Sequence, residues 1–346
     1  MVLGFSGSSG GVGKETFGKV GLVNRPLEVS YFVNNRCNLS CRHCYVGYEQ
    51  TDGELSVGEW SETFDRLIEM GALTFGNVGK EPLLSSDKTI AIMQHLAKRR
   101  EEIPALRFGF VTNGTLLDCR MVEDLERISP DYIDVSLDGG RKVHDFIRGD
   151  YNYIRTVRKL RGLPSGLTEK VFLSFTLMKP NVGEFRGVVG DMSALGLTKF
   201  LVSPYVATPG SNGELFISDE EVVDFYERVA DGSEIKFADL PQIEIILKSD
   251  YDSQKALMDR LVERGVIDLG NLSIDEYGVI FNRHVQGGGS EVVVNYMPFS
   301  DTLSRAVRIS HDGYVGGCLE MFHKDYPERA RANLRDKKIE EILGRN

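Results

Sequence analysis

From Leu27 to about residue 206, short apolar runs alternate with stretches whose apolar residues recur at helical spacing. The runs Leu27–Val33, Leu73–Val78, Arg107–Thr112, Tyr132–Leu137, Val171–Met178 and Lys199–Val206 have the length and composition of buried strands. Helical spacing falls between them at Ser56–Met70, Ser86–Arg99, Met121–Ile128, Tyr153–Leu163 and Val182–Leu195. In the first, Trp60, Phe64, Leu67 and Ile68 form one stripe, a candidate core face. Six such repeats predict an α/β fold with a parallel sheet, curled into a full or partial (β/α)6 barrel. The carboxyl ends of strands in such sheets carry the chemistry. Two further helical patterns, Asp219–Ala230 and Ser253–Glu263, precede a less regular part that names no substrate.

The expected organisation is a flexible arm over residues 1–24, a barrel core over 25–235 and a small α+β capping region over 236–346. The arm contains Gly4-Phe-Ser-Gly-Ser-Ser-Gly-Gly-Val-Gly-Lys-Glu15, which only superficially suggests a phosphate loop. Ser8 stands at its leading position, Glu15 replaces the magnesium-binding hydroxyl, and no strand-like run precedes it. Over the whole 346 residues, 41% apolar and 27% charged positions are globular values. Lys and Arg number 41 against 51 Asp and Glu, and the net charge of −10 argues against sequence-independent affinity for nucleic acid or anionic lipid. Apolar stretches such as Ile243–Leu247 are far too short to span a bilayer, so the chain is expected to be soluble and cytoplasmic, with no nucleic-acid or membrane partner.

Candidate chemistry begins at Cys37, Cys41 and Cys44, spaced C-x3-C-x2-C directly after the first strand. Cubane iron–sulfur clusters normally take four thiolates, so three on one loop would leave one iron open to a non-protein ligand. Zinc is the rival, with His43 inside the loop, but structural zinc usually needs a second knuckle, and Cys119 and Cys318 are isolated. A disulfide framework is a weaker rival at five cysteines in this length. Three later strand ends would surround the same point: Gly76-Asn-Val-Gly-Lys-Glu-Pro-Leu-Leu84, Thr112-Asn-Gly-Thr-Leu-Leu117, and Ser136-Leu-Asp-Gly139 with His144-Asp-Phe-Ile-Arg-Gly149 beyond it. Each alone reads as turn chemistry.

The stretch from about residue 27 to 206 resembles the radical S-adenosylmethionine (radical SAM) enzymes. The likeness is carried by Cys37-Asn-Leu-Ser-Cys-Arg-His-Cys-Tyr45, by a Gly-Glu-Pro signature written Gly79-Lys-Glu-Pro82, and by Ser136-Leu-Asp-Gly139 with His144-Asp-x-x-Arg148-Gly. The resemblance implies one 4Fe-4S cluster on Cys37, Cys41 and Cys44, whose open iron chelates the amino and carboxylate groups of SAM. It also implies that Glu81, beside Gly79 and Pro82, meets the SAM ammonium, that Ser136 touches its ribose or carboxylate side, that Arg148 pairs with the carboxylate, and that His43 and Tyr45 lie against the adenine. Lys80 departs from the family, which commonly has a second Gly there. One electron from a donor such as flavodoxin or ferredoxin would cleave SAM to methionine and a 5′-deoxyadenosyl radical, which takes a hydrogen atom from substrate.

The tail, Val307-Arg-Ile-Ser-His-Asp-Gly-Tyr-Val-Gly-Gly-Cys318 and Ala332–Leu343, is similar to the opening of the auxiliary-cluster extension called SPASM, as is Thr176-Leu-Met-Lys-Pro-Asn-Val-Gly183 to its carriers. That extension uses many cysteines; here Cys318 stands alone, so an auxiliary cluster is not expected. Cys318 reads either as a small buried hydrophobe or as a hydrogen-atom donor to a substrate radical, as in radical SAM epimerases acting on aminoglycosides and peptides. Cys119 reads as a packing residue, His311, His323, Glu320 and Tyr314 as weak substrate contacts, and Gln286–Ser290 as a flexible loop or lid. The expected activity is a redox-neutral epimerisation of a natural-product sugar, nucleoside or peptide. Dehydrogenation, decarboxylation or bond formation on a peptide is the second reading, and a non-catalytic cluster or zinc protein the third.

Overall fold

The helix Val57–Glu69 (α1) starts where Ser56 and Glu59 cap each other, the Glu59 amide donating to Ser56 Oγ at 3.3 Å and the Ser56 amide to Glu59 Oε2 at 2.7 Å. Its stripe of Trp60, Phe64, Leu67 and Ile68 is buried as the spacing predicts. Trp60 and Phe64 pack on Tyr31 with ring centroids 5.3 and 4.9 Å apart, and Phe64 meets Phe75 at 4.9 Å. These contacts fix the first helix on the first two strands. A computed structural model describes residues 27–46, 52–207, 213–248, 255–275, 277, 279–296, 306–317 and 330–344.

The strands are β1 (Leu27–Tyr31), β2 (Ala72–Asn77), β3 (Arg107–Thr112), β4 (Tyr132–Ser136), β5 (Val171–Leu177), β6 (Lys199–Pro204), β7 (Glu244–Leu247), β8 (Ser273–Ile274), β9 (Ile280–Val285), β10 (Glu291–Tyr296), β11 (Ala306–Ile309), β12 (Tyr314–Gly316) and β13 (Ala330–Asn333). They form one sheet in the order β13-β12-β11-β1-β2-β3-β4-β5-β6-β7-β10-β9-β8. Every pairing from β11 through β10 is parallel, and the outer pairings are antiparallel. The fold is thus α/β with a mostly parallel sheet, and β1 to β6 are the six predicted strands. Beyond expectation, the chain after residue 236 supplies further strands on both flanks.

After α1 the longer helices are α2 (Ser86–Glu102), α3 (Cys119–Ile128), α4 (Arg141–Arg148), α5 (Asn152–Leu160), α6 (Phe185–Ser193), α7 (Asp219–Ala230) and α8 (Lys255–Glu263). Alternate strand residues, such as Val29, Phe75, Phe108, Ile133, Leu173 and Phe200, join these helices in the main core. The residues between them, Tyr132, Phe172, Leu201 and Ile246, form a separate buried cluster made of strand residues alone. A sheet face buried without helices over it is buried against itself, as in a curled sheet. The Gln286–Ser290 stretch is the β9–β10 turn, with the Gln286 amide donating to the Ser290 carbonyl at 2.8 Å. It lies beside the start of β7, at the amino edge, so it cannot serve as a lid over the carboxyl edge. No helix among the described residues is long and apolar enough to cross a membrane.

Candidate active site

The cysteine loop leaves β1 at the carboxyl edge and is held from two sides. On one side, Asn113 of the β3 turn donates through Nδ2 to Asn38 Oδ1 at 2.9 Å and approaches Cys37 Sγ at 3.9 Å, and Asn38 Nδ2 donates to Thr115 Oγ1 at 2.9 Å. Gly114 turns there at φ 76°, where a Cβ would stand 2.8 Å from Val135. On the other side, the Arg42 amide donates to the Ile147 carbonyl of α4 at 2.9 Å. Arg148, one residue on, points Nη1 at Cys41 Sγ at 3.9 Å and Nη2 at His43 Nε2 at 3.4 Å.

Arg148 is anchored by Asp138, which sequence reasoning did not single out. Its Nε donates to Asp138 Oδ2 at 2.5 Å, and both groups are buried. The other Asp138 oxygen accepts the Thr176 amide at 2.8 Å, and Asn181 Nδ2 donates to the Asp138 carbonyl at 3.0 Å. The Asp138 amide donates to His144 Nδ1 at 3.2 Å, which leaves the ring proton on Nε2. The spacing of His144 and Arg148, one turn apart on α4, therefore serves to face both at Asp138. Burial alone would raise Asp138, but Arg148, His43 and His144 hold its carboxyl below the usual range. Burial likewise disfavours the Arg148 charge, and Asp138 outweighs it, so the guanidinium stays charged.

Glu81 is fully buried behind the turn after β2. Its side chain accepts the Leu83 amide at 3.0 Å, the Asn113 amide at 2.8 Å and the Thr112 hydroxyl at 2.9 and 3.0 Å, so it ties the turn after β2 to the end of β3. Burial pushes its carboxyl up to about 7 despite those donors. Pro82 opens the one-turn 3-10 helix that follows. Gly79 is required sterically, because a Cβ there would stand 2.0 Å from the ring of buried Phe32. Lys80 adopts φ 54°, which explains why glycine suits that position. Ser136 is buried at the end of β4, and Tyr45 is half-buried. Cys318, Glu320 and His323 lie outside the described residues, as does the Gly/Ser-rich arm. β12, the strand before Cys318, runs antiparallel to β11 and so toward the amino edge. Cys119 is exposed at the start of α3, which corrects its reading as a packing residue.

The donor set fits a cluster better than a single ion. Among the described residues no three His, Cys, Asp or Glu side chains converge to hold one metal. Cys37 and Cys41 nevertheless each lie within electrostatic reach of Cys44. Thiolates on a cubane bind different irons and need that spread. Burial raises Cys37 and pushes Cys41 up to about 11, with the Arg148 charge opposing the rise at Cys41. Burial and the Arg148 charge hold His43 down near 4, so its ring is neutral. Its Nδ1 is buried with no hydrogen-bond partner, as are both ends of the Asn35 amide just before the loop. Orphans of this kind are rare in a finished site.

A second set of orphans lies on the strand face turned from the helices. Asp134, fully buried on β4, has no hydrogen-bond partner at either oxygen, and the hydroxyl of neighbouring Tyr132 has none. Burial lifts the Asp134 carboxyl to about 7. The Ser174 hydroxyl is near enough to counter part of that rise but lies outside hydrogen-bond geometry. One charged residue inside an otherwise buried strand, Tyr132-Ile-Asp-Val-Ser136, was the signal in the sequence.

The mostly parallel sheet thus carries three thiols at the carboxyl edge of its first strand, flanked by a buried Asp–Arg pair. Residues 31–181 match the sequence family described as the Radical SAM superfamily, whose members use a 4Fe-4S cluster and SAM. Similar proteins include the Fe-coproporphyrin III synthase of Methanosarcina barkeri, 34% identical over 164 residues that make up 46% of this chain and 39% of that one. The subtilosin biosynthesis protein AlbA of Bacillus subtilis is 27% identical over 180 residues, 51% of this chain and 38% of its own. The matched stretch thus spans about two fifths of these relatives. In fold, Streptococcus suis SuiB bound to the precursor peptide SuiA superposes with a TM-score of 0.68 at 13% identity, covering 95% of this chain and 67% of that one.

Proposed function

We propose that the protein cleaves SAM reductively and removes a hydrogen atom from a natural-product substrate, with a peptide as the favoured class. The observation that carries this is the convergence of the cysteine loop, Arg148, Asp138 and neutral His43 at one carboxyl edge. Bound there, the cluster and SAM would supply one-electron cleavage and hydrogen abstraction. Cys37, Cys41 and Cys44 would hold the cluster. Arg148, kept charged and oriented by Asp138, would meet the SAM carboxylate, with Ser136 beside it. His43 and Tyr45 would border the adenine, and Gly79 to Pro82 would shape the wall near the SAM ammonium, with Glu81 holding that wall to β3. Asp134 and Tyr132 pair an acceptor with a donor on the buried strand face, which complements a substrate amide. Names among the relatives include both peptide and tetrapyrrole chemistry, such as the PqqA peptide cyclase and the pre-heme d1 synthase.

Epimerisation with Cys318 as hydrogen-atom donor is carried by the sequence resemblance. Anaerobic reconstitution with iron and sulfide, then assay of SAM cleavage under dithionite, tests the main reading. A cluster whose spectrum ignores added SAM would overturn it. Deuterium uptake from heavy water into product, lost in Cys318→Ala, tests the epimerisation.

A further inference from the structure

The geometry points to the outer face of α4 and α5 as the docking surface for an acidic one-electron carrier protein, an inference that rests on the reductive chemistry proposed above. Residues 141 to 161 hold seven Arg or Lys and two Asp, in a chain whose net charge is −10. Arg148 is buried on Asp138, which leaves six cations against two acids, exposed Asp150 and half-buried Asp145, whose carboxylate accepts the Tyr153 amide at 2.8 Å, so the face is net positive. Lys142, Arg155, Arg158 and Arg161 are exposed. Among them stand three large exposed apolar side chains, Phe146 at 41%, Tyr151 at 67% and Ile154 at 48% of their surface. Ile154, Arg155 and Arg158 follow one another at helical spacing on the outward side of α5, and Tyr151 is its exposed N-cap. Apolar anchors inside a ring of one charge are what a small, transient, electrostatically steered interface requires.

The patch also touches the cysteine loop. The Arg42 guanidinium, between Cys41 and His43 in sequence, lies 4.1 Å from the Phe146 ring centroid, and its amide is bonded to α4. An electron delivered at Phe146 therefore enters one residue from a cluster ligand. The transfer is balanced: the carrier loses one electron and the cluster gains it, with no bond made or broken. The sign of the charge selects an acidic carrier.

The test uses the reconstituted full chain with flavodoxin and, separately, ferredoxin as probes. Wild-type SAM cleavage driven by prereduced flavodoxin is expected to fall steeply with added salt. The triple variant Lys142→Glu, Arg155→Glu, Arg158→Glu is expected to lose about tenfold or more of the carrier-driven rate. Its dithionite-driven rate and iron content should stay at the wild-type level. The Gln versions of the three substitutions give a milder second series, and zero-length cross-links from flavodoxin carboxylates should map to Lys142 and Lys159. Carrier-driven rates unchanged in both series, or cross-links only to other faces, would overturn the docking surface. If the wild type fails to cleave SAM even with dithionite, the functional reading falls first and takes this surface with it.

Discussion

At the scale of single residues, the site is organised by two buried acids in opposite situations. Asp138 is fully partnered and holds Arg148 charged. Replacing it with Asn leaves that guanidinium buried against a neutral group, and urea unfolding of the apo protein should show a loss of about 3 to 5 kcal/mol. Asp134 is unpartnered, and its raised carboxyl, like that of Glu81, binds a proton more tightly folded than unfolded. Their contribution is therefore complete below the unfolded values and lost as pH rises through the folded ones. The urea midpoint of the apo protein should fall between about pH 4 and about pH 7, and Asp134→Asn should flatten part of that slope. An unchanged slope in the variant would show that Asp134 does not titrate there.

At the scale of elements, the turn after β2 is shaped by β1. Gly79→Ala sets a methyl against the Phe32 ring, with an expected cost of about 1 to 3 kcal/mol. Shortening the ring in Phe32→Leu should restore much of it, which a double-mutant cycle measures as coupling between the two positions. Lys80→Gly relieves a left-handed residue and should gain up to about 1 kcal/mol. Elements were also where the sequence was most readable. All six core strands and the amphipathic helices announce themselves by period, because each buries one defined face. α4 does not, since its buried residues include His144 and Arg148, polar side chains serving Asp138. The cysteine motif was legible because its three thiols lie close together in sequence, at Cys37, Cys41 and Cys44. Asp138 and Asn181 were hidden, because their partners come from other elements and Asp-Gly reads as a turn. β7, β8 and β11 to β13 were hidden by their brevity, each being two to four residues long.

At the scale of the whole molecule, the C-terminal segment fastens the chain that follows the cysteine loop. The Leu55 amide donates to the His311 carbonyl at 2.7 Å, Arg335 Nη2 to the Gly53 carbonyl at 2.9 Å, and Arg66 Nη1 to Glu340 Oε1 at 3.1 Å. Arg335→Ala should therefore raise amide hydrogen exchange over residues 52 to 57, with the β3 to β6 strands unaffected. The strand order carries a second consequence. β10 and β11 are eight strand positions apart, and β10 ends at the carboxyl edge whereas β11 begins at the amino edge. Laid flat, that gap would exceed about 38 Å at a spacing of about 4.8 Å per strand. Only ten peptide links join Tyr296 to Ala306. Fully stretched, they reach about 35 Å. That covalent reach is too short for an open sheet, so the two flanks stand nearer than a flat sheet would hold them, which sets an upper limit on how wide a mouth any incoming molecule can find.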